Sequence, residues 1–279
     1  MLIAESQSLN VYRNLAIEEY LMEHSKGAVL FLWRSACAVV VGKNQNPWRE
    51  CRLDLMKAEG VPLARRISGG GTVYHDEGNL NYCVIVDRAQ YREEQAFELV
   101  FQTLETFGIR AERTGKSNLS VDGLKFSGNA FCFRKGRALH HGTLLLQSNL
   151  EQLGRYLGPV LDGIETRAVA SVSARVTNLG LDVDSVATEL CNRFILLYGD
   201  GQSFDSLEMG SNVAEIVALE EKHCSNEWKY GASPRFIVNG NGMRLEVEKG
   251  IIVKGEGEGV GVLLERPFWD TLFSLVYLG

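Results

Sequence analysis

Apolar positions recur at intervals of three and four along residues 93–107, where Phe97, Val100, Phe101 and Leu104 trace one stripe and Phe107 extends it. That spacing predicts an amphipathic helix, which Gly108 ends. Residues 14–24 show a looser version, with Leu15, Ile17, Leu21 and Met22 set among Glu18, Glu19 and Glu23. Asn10 or Asn14 supplies its cap. Residues 183–197 form a second clear helix and 215–224 another. Shorter ones are expected at 52–58, stopped by Gly60, and at 149–157. Between these lie short apolar runs that read as strands. Residues 29–33 and 37–41 read as two strands meeting at a turn, the second ending at Gly42. Residues 61–64 and 81–86 flank a glycine-rich loop. Residues 119–121 and 124–127 form a hairpin about Asp122-Gly123, a dipeptide suited to a tight turn. Residues 131–133 continue the pairing, 134–137 make a basic turn, and 139–147 return. The pattern then changes to short strands at 236–238, 243–247 and 251–254, and Pro267 precedes a short apolar tail. Strands and helices alternate without a steady βαβ rhythm, so the fold class is α+β, with mixed sheets flanked by helices.

Composition narrows the possible functions. The chain has 279 residues, 45% hydrophobic and 23% charged, with a formal net charge of −6. A core of ordinary size is affordable and disorder is not indicated. The negative balance argues against binding nucleic acid along its phosphates. The six cysteines, at 37, 51, 83, 132, 191 and 224, make no Cys-x-x-Cys pair and no zinc spacing, and read as buried, reduced thiols. No apolar segment approaches the ~20 residues a bilayer requires. The expectation is a cytoplasmic protein with no membrane contact.

The densest chemistry lies in Arg65-Arg66-Ile67-Ser68-Gly69-Gly70-Gly71-Thr72-Val73-Tyr74-His75-Asp76, followed by Glu77-Gly78-Asn79. Three glycines bring bare backbone amides to a ligand, and successive N–H groups in such a turn form an anion site. Two arginines supply fork-shaped cations for phosphate or carboxylate. Lys125-Phe126-Ser127-Gly128-Asn129-Ala130 places a lysine before small residues at a hairpin, where it can meet an oxyanion that develops during reaction. His140-His141-Gly142-Thr143 sits on a strand, so the two rings face opposite sides and do not share a metal. Either one is available to a ligand while the other packs, or both are structural. The glycine-dense stretch 255–261 lacks dinucleotide-binding spacing and reads as a solvated acidic turn. Serine-hydrolase, P-loop and zinc-protease signatures are missing from the sequence.

Taken in order, these motifs resemble the lipoate–protein ligase family, within the wider biotin- and lipoate-transferring superfamily. The resemblance is carried by Phe31-Leu32-Trp33-Arg34, Val41 through Trp48, Arg65 through Asn79, Lys125 through Ala130, His140 through Leu146, Ser173 through Leu179, and Glu227-Trp228-Lys229-Tyr230-Gly231. It implies a catalytic domain of the class II aminoacyl-tRNA synthetase and biotin–lipoyl ligase type over residues 1–233. A small, shortened C-terminal accessory domain over 234–279 would follow, completed by a separate accessory subunit or standing alone. It implies activation of lipoate by ATP with Mg²⁺ to lipoyl-AMP, then transfer to a lysine of an acceptor lipoyl domain. That acceptor would be an E2 subunit, a glycine-cleavage H protein or a similar carrier. Carried over by motif, Arg66, Gly71, Thr72, Val73 and Tyr74 hold the adenylate together with Lys125, the catalytic cation. Trp33, Ser68, Gly70, His75, Asn79 and His141 line the lipoate pocket.

Two departures stand out. Gly115-Lys116-Ser117-Asn118 puts Asn118 where many members carry a carboxylate, so a metal position there is unassigned. The C-terminal part is short. One alternative is an octanoyl or lipoyl transferase that takes its acyl group from a carrier without ATP. It requires a thiolate near the lysine, and Cys132 is the only substitute in sequence reach. A biotin ligase and an adenylate-binding protein without transfer activity are further alternatives. Lipoate against octanoate stays open.

Overall fold

The computed structural model describes residues 1–161, 163–199, 205–208, 213–240, 242–258 and 260–271, the backbone alone at 205–208. The apolar tail expected after Pro267 lies largely outside these. In chain order the elements are β1 (Leu2–Ser6), α1 (Val11–His24), β2 (Val29–Trp33), β3 (Ala38–Val41), α2 (Pro47–Glu50), α3 (Leu53–Ala58), β4 (Leu63–Arg65) and β5 (Val73–His75). There follow β6 (Asn79–Asp87), α4 (Glu93–Glu105), β7 (Glu112–Thr114), β8 (Asn118–Val121), β9 (Leu124–Arg134), β10 (Arg137–Leu145), α5 (Leu150–Tyr156) and β11 (Ile164–Thr166). The last are α6 (Val183–Tyr198), β12 (Asp205–Glu208), α7 (Ala214–Cys224), a π-helical turn at Glu227–Gly231, β13 (Phe236–Gly240), β14 (Met243–Glu248) and β15 (Ile251–Glu256). This is the α+β class that the pattern predicts. Among the described residues, no helix is long and apolar enough to cross a membrane.

The chain forms two compact units, each drawn from three stretches. One comprises Met1–Cys37, His75–Leu150 and the described part of Ser173–Glu221. The other comprises Ala38–Tyr74, Glu151–Val172 and the described residues from Lys222 on.

The first unit is built on an eight-stranded mixed sheet in the order β12-β1-β2-β6-β10-β9-β8-β7. β1 runs parallel to β2 and β12, since α1 carries the chain back between β1 and β2, and the remaining pairs are antiparallel. Asn10 caps α1, its side chain accepting from the amides of Tyr12 (2.9 Å) and Arg13 (3.3 Å). Asn14 is inside the helix and donates instead to the carbonyls of Ser8 and Arg34. The hairpin between β8 and β9 turns on Asp122 (φ 52°) and Gly123 (φ 73°), the positive pair that a two-residue turn demands. One face of the sheet presents Leu30, Leu32, Leu80, Tyr82, Val84 and Val86 to the apolar stripes of α4 (Phe97, Val100, Leu104) and α6 (Val186, Leu190, Phe194). The other face carries α1, packed on β2, β6 and β10.

The second unit contains an antiparallel sheet, β11-β13-β14-β15, and a small sheet β4-β3-β5 in which β3 and β4 are parallel. Trp48 is fully buried here against Tyr230, Phe236 and Phe268, with ring centroids 4.9–5.4 Å apart. The expected turn between residues 29–33 and 37–41 is corrected: β2 and β3 belong to different sheets. Uniform cysteine burial is corrected as well. Cys51 and Cys83 are buried, Cys37, Cys132 and Cys191 are half-buried, and Cys224 is exposed. Of the acidic glycine stretch, Glu256, Gly257 and Glu258 are exposed, and Gly259 lies outside the described residues.

The adjacent histidines divide as the pleat requires. His140 points into the apolar face, where Phe97 and Phe131 pack on its ring at centroid distances of 5.0 and 4.6 Å. Its Nε2–H donates to Asn129 Oδ1 (3.0 Å) and its Nδ1 accepts from the Tyr91 hydroxyl (3.3 Å), a neutral tautomer. Burial first, then His141 and Arg113, pull its pKa down to about 3. In the unfolded chain the imidazole binds a proton near pH 6.5. This stability is therefore complete above about 6.5 and is lost as pH falls towards about 3. Urea unfolding should show wild type losing up to about 1.4 kcal/mol per pH unit below pH 6.5 through this group, a slope that His140→Gln lacks. Equal acid sensitivity of the two proteins would contradict a neutral His140.

Candidate functional site

In the second unit the glycine turn is shaped from within. Arg66, 5% exposed, folds back onto it, donating from Nε to Ser68 Oγ (3.0 Å), from Nη1 to the Val40 carbonyl (3.2 Å) and from Nη2 to the carbonyls of Gly69 (2.6 Å) and Gly71 (2.7 Å). The guanidinium thus gathers the carbonyl oxygens of the turn on its own side. Gly42 backs the turn so closely that a Cβ there would stand 2.3 Å from the Gly70 carbonyl, and Gly70 itself has φ +85°. Both positions therefore demand glycine. Gln45 bridges the same parts: its Oε1 accepts from the Gly42 amide (2.9 Å) and the Thr72 hydroxyl (2.9 Å). Ser171 Oγ accepts from Gln45 Nε2 (3.0 Å) and the Thr72 amide (2.9 Å), while its own amide donates to Glu50 (3.0 Å). Val73 and Tyr74 leave the turn in β5, and Tyr74 stacks on Tyr156.

Lys125 belongs to the first unit. It lies near the start of β9, opposite Ser120 and beside a register shift in the partner strand. Its amide donates to the Arg175 carbonyl (2.9 Å) and its carbonyl accepts from the Thr177 amide (2.9 Å), so a segment of chain straps its backbone on both sides. Its Nζ extends over Gly128, where an added Cβ would sit 3.2 Å from it. Asn129 braces the neighbourhood: its Nδ2 donates to the Ser117 carbonyl (3.1 Å) and Ser127 Oγ (3.2 Å). Asn118 pairs with Gly128 in the β8–β9 register. Among the described residues, no group of three or more His, Cys, Asp and Glu side chains is placed to hold a metal.

The opposite sheet face of this unit gathers polar groups around an indole. Register puts Trp33 beside Asn81, and Phe31 and His141 on either side of Cys83, all on one face. Glu18 of α1, 1% exposed, accepts from Trp33 Nε1 (3.0 Å) and meets His141 Nδ1 (2.8 Å). The His75 ring lies 5.3 Å from that of Trp33. Asn79, fully buried, donates to Asn81 (3.2 Å), and its Oδ1 has no hydrogen-bond partner among the described residues. A buried acceptor left in this way is the chemistry of a site that expects a donor.

Of the residues expected from sequence, Trp33, His75, Asn79, Lys125 and His141 thus lie in the first unit. Trp33, His75 and His141 are brought together there. Arg66, Ser68, Gly70, Gly71, Thr72, Val73 and Tyr74 lie in the second. Sequence reasoning missed Glu18, Gln45, Asn129 and Ser171. Glu18 carried a signal: it falls three residues after Leu15 and four before Met22, on the apolar stripe, where a carboxylate is out of place. Gln45 and Ser171 carried none, because their partners are remote in sequence. Glu18→Gln keeps the shape but turns an N–H towards one of two existing donors. It should cost roughly 1–3 kcal/mol in urea unfolding, with an unchanged slope. A neutral result would mean that Glu18 does not hold these rings.

Comparison with known proteins agrees with this geometry. The family model described as the lipoyl protein ligase A/B catalytic domain matches residues 10–195. A lipoate-protein ligase A of Bdellovibrio bacteriovorus is 41% identical over 244 residues, covering 83% of this chain and 72% of that protein. The crystal structure of P. falciparum LipL1 in complex with lipoate superposes with a TM-score of 0.72 and 25% identity, over 99% of this chain and 88% of that one. A crystal structure of lipoate-protein ligase A bound with ATP shares the fold, with a TM-score of 0.67 and 23% identity, over 83% of this chain and 98% of that one. The chain belongs to the lipoyl protein ligase A/B catalytic-domain family.

Proposed function

We propose that this chain is an ATP-dependent lipoate–protein ligase working in two steps. A lipoate carboxylate oxygen attacks the α-phosphorus of ATP; a P–O bond to lipoate forms and the P–O bond to pyrophosphate breaks. The neutral amine of an acceptor lysine then attacks the acyl carbon. A C–N bond forms, the C–O bond to AMP breaks, and the amine proton is lost. The acceptor is a lipoyl domain of a dehydrogenase E2, a glycine-cleavage H protein or a similar carrier.

Each residue's role follows from its chemistry. The Gly71–Tyr74 backbone receives the nucleotide phosphates, in a turn whose carbonyls Arg66 has drawn aside. Trp33, His75 and His141 flank the dithiolane tail, where each buried CH₂ contributes roughly 0.8 kcal/mol. Ser68 and Gly70 shape the glycine turn, and Asn79 Oδ1 accepts from a water that accompanies the substrate. Lys125 stabilises the negative charge that develops on phosphoryl and acyl oxygens. Mg²⁺ enters on the phosphates of ATP. The neutral Asn118 is a poor magnesium ligand, and the described residues offer no cluster for the ion. These groups fall within residues 1–233, which we take as the catalytic domain, with 234–279 as a shortened accessory segment.

The observation that carries this reading is Lys125, held by its backbone on both sides with its amine over a glycine. Such a cation is preorganised and needs little rearrangement to meet an oxyanion. The thioester alternative fares worse on geometry. Cys132 shares β9 with Lys125, seven residues on, so the extended chain separates the two by roughly 20 Å.

Mass spectrometry of an apo lipoyl domain incubated with the protein, ATP, Mg²⁺ and lipoate should show a gain of one lipoyl group. Lys125→Ala should lower the rate of lipoyl-AMP formation by about 10²- to 10³-fold, while Cys132→Ser stays within about twofold of wild type. Acyl gain from an acyl-carrier thioester but none with ATP would sink the ligase reading.

A further inference from the structure

Arg65 is fully buried in the second unit and forms no ion pair among the described residues. Burying a cation costs several kcal/mol unless its donors are satisfied. Here oxygen dipoles satisfy them. Nη1 donates to the carbonyls of Gly42 (3.0 Å), Lys43 (3.0 Å) and Gln45 (2.9 Å). Nε donates to the carbonyls of Trp228 (3.0 Å) and Lys229 (3.0 Å), and Nη2 to Lys229 (2.7 Å) and to Ser233 Oγ (2.8 Å). The Arg65 carbonyl in turn accepts from Trp228 Nε1 (2.7 Å) and pairs with His223 Nδ1 (3.2 Å). Burial draws the guanidinium down to about 10, so it stays charged at neutral pH.

The two sets of carbonyls differ in kind. Those of Trp228 and Lys229 lie in the last turn of the π-helical segment, where helix carbonyls lack partners of their own and a cation is favoured. Those of Gly42, Lys43 and Gln45 belong to the loop behind the glycine turn. That loop touches the turn directly: Gly42 abuts the Gly70 carbonyl, Gln45 holds the Thr72 hydroxyl, and the Lys43 amide donates to the Ser68 carbonyl (2.8 Å). One planar fork therefore ties the end of a helix near residue 230 to the loop that shapes the turn. A lysine has three donors and no fork, and cannot reproduce this.

We infer that Arg65 is a positioning residue for ATP: it sets the shape of the nucleotide-binding turn from behind. Residues 223–233, which lie beyond the 10–195 span of the family match, thereby become part of the activating machinery. The inference rests on the ATP-dependent reading proposed above.

The test is lipoate-dependent ATP–pyrophosphate exchange by the full-length wild type, Arg65→Lys and Trp228→Phe, with thermal unfolding measured alongside. Trp228→Phe keeps an aromatic ring and removes the indole N–H that donates to the Arg65 carbonyl. Arg65→Lys should raise KM for ATP about tenfold, and Trp228→Phe about threefold, with KM for lipoate within about twofold in both. A role in stability alone would lower Tm and the active fraction while leaving KM for ATP unmoved, and that result overturns the inference. If Arg65→Lys yields no soluble protein, Trp228→Phe and Ser233→Ala decide by the same measurement. A wild type silent in exchange would overturn the ATP reading and this inference together. An active wild type with unshifted variants overturns the inference alone.

Discussion

The two-residue period of a strand is the constraint on which the first unit depends. Along β10 it sends His140 and Gly142 to one side and His141 to the other, and through the registers with β6 and β2 it does the same for their neighbours. One side becomes a hydrophobic interior that holds a polar knot of Tyr82, Asn129, His140 and Tyr91. The other gathers an indole, two imidazoles and two amides on the side of α1. A one-residue slip would exchange the two and bury these polar groups against α4 and α6. The well-packed side thus enforces the geometry of the chemical side.

Both units hold buried charged groups with neutral hydrogen-bonding partners. Arg65 and Arg66 spend most of their donors on carbonyls, and Glu18 receives an indole N–H. Such contacts are directional, and each leaves a costly orphan if broken. They suit a site whose parts must stand within fractions of an ångström of their working positions. The strap on Lys125 serves the same end with backbone alone.

Elements with a local cause were legible in the sequence. The stripe on α4, the Asp122-Gly123 turn and the asparagine ahead of α1 all depend on residues within a few positions of one another. Partnership was harder to read. Residues 38–41, Ala-Val-Val-Val, are buried on both faces and pair in parallel with β4. A continuous apolar run is the mark of such a strand, whereas a hairpin half-exposed to water would alternate. The motifs named the candidate residues, yet not who steadies them. Gln45 reaches Ser171 across 126 positions and Arg65 reaches Ser233 across 168, and no periodicity encodes such distances. Glu18 is the instructive middle case: its place on the helix stripe announced burial, and the carboxylate announced a purpose.

Neither compact unit is a contiguous piece of chain, and biosynthesis must respect that. The sheet begun by residues 2–6 cannot gain its covering helix α6 until residue 198 has left the ribosome. At 5–20 residues per second the nascent chain waits on the order of ten seconds or more with part of its apolar face uncovered. Arg65 waits as well, since its helix-end carbonyls are made 163 positions later. A guanidinium is at ease in water meanwhile, whereas an apolar residue in the same place would tend to aggregate.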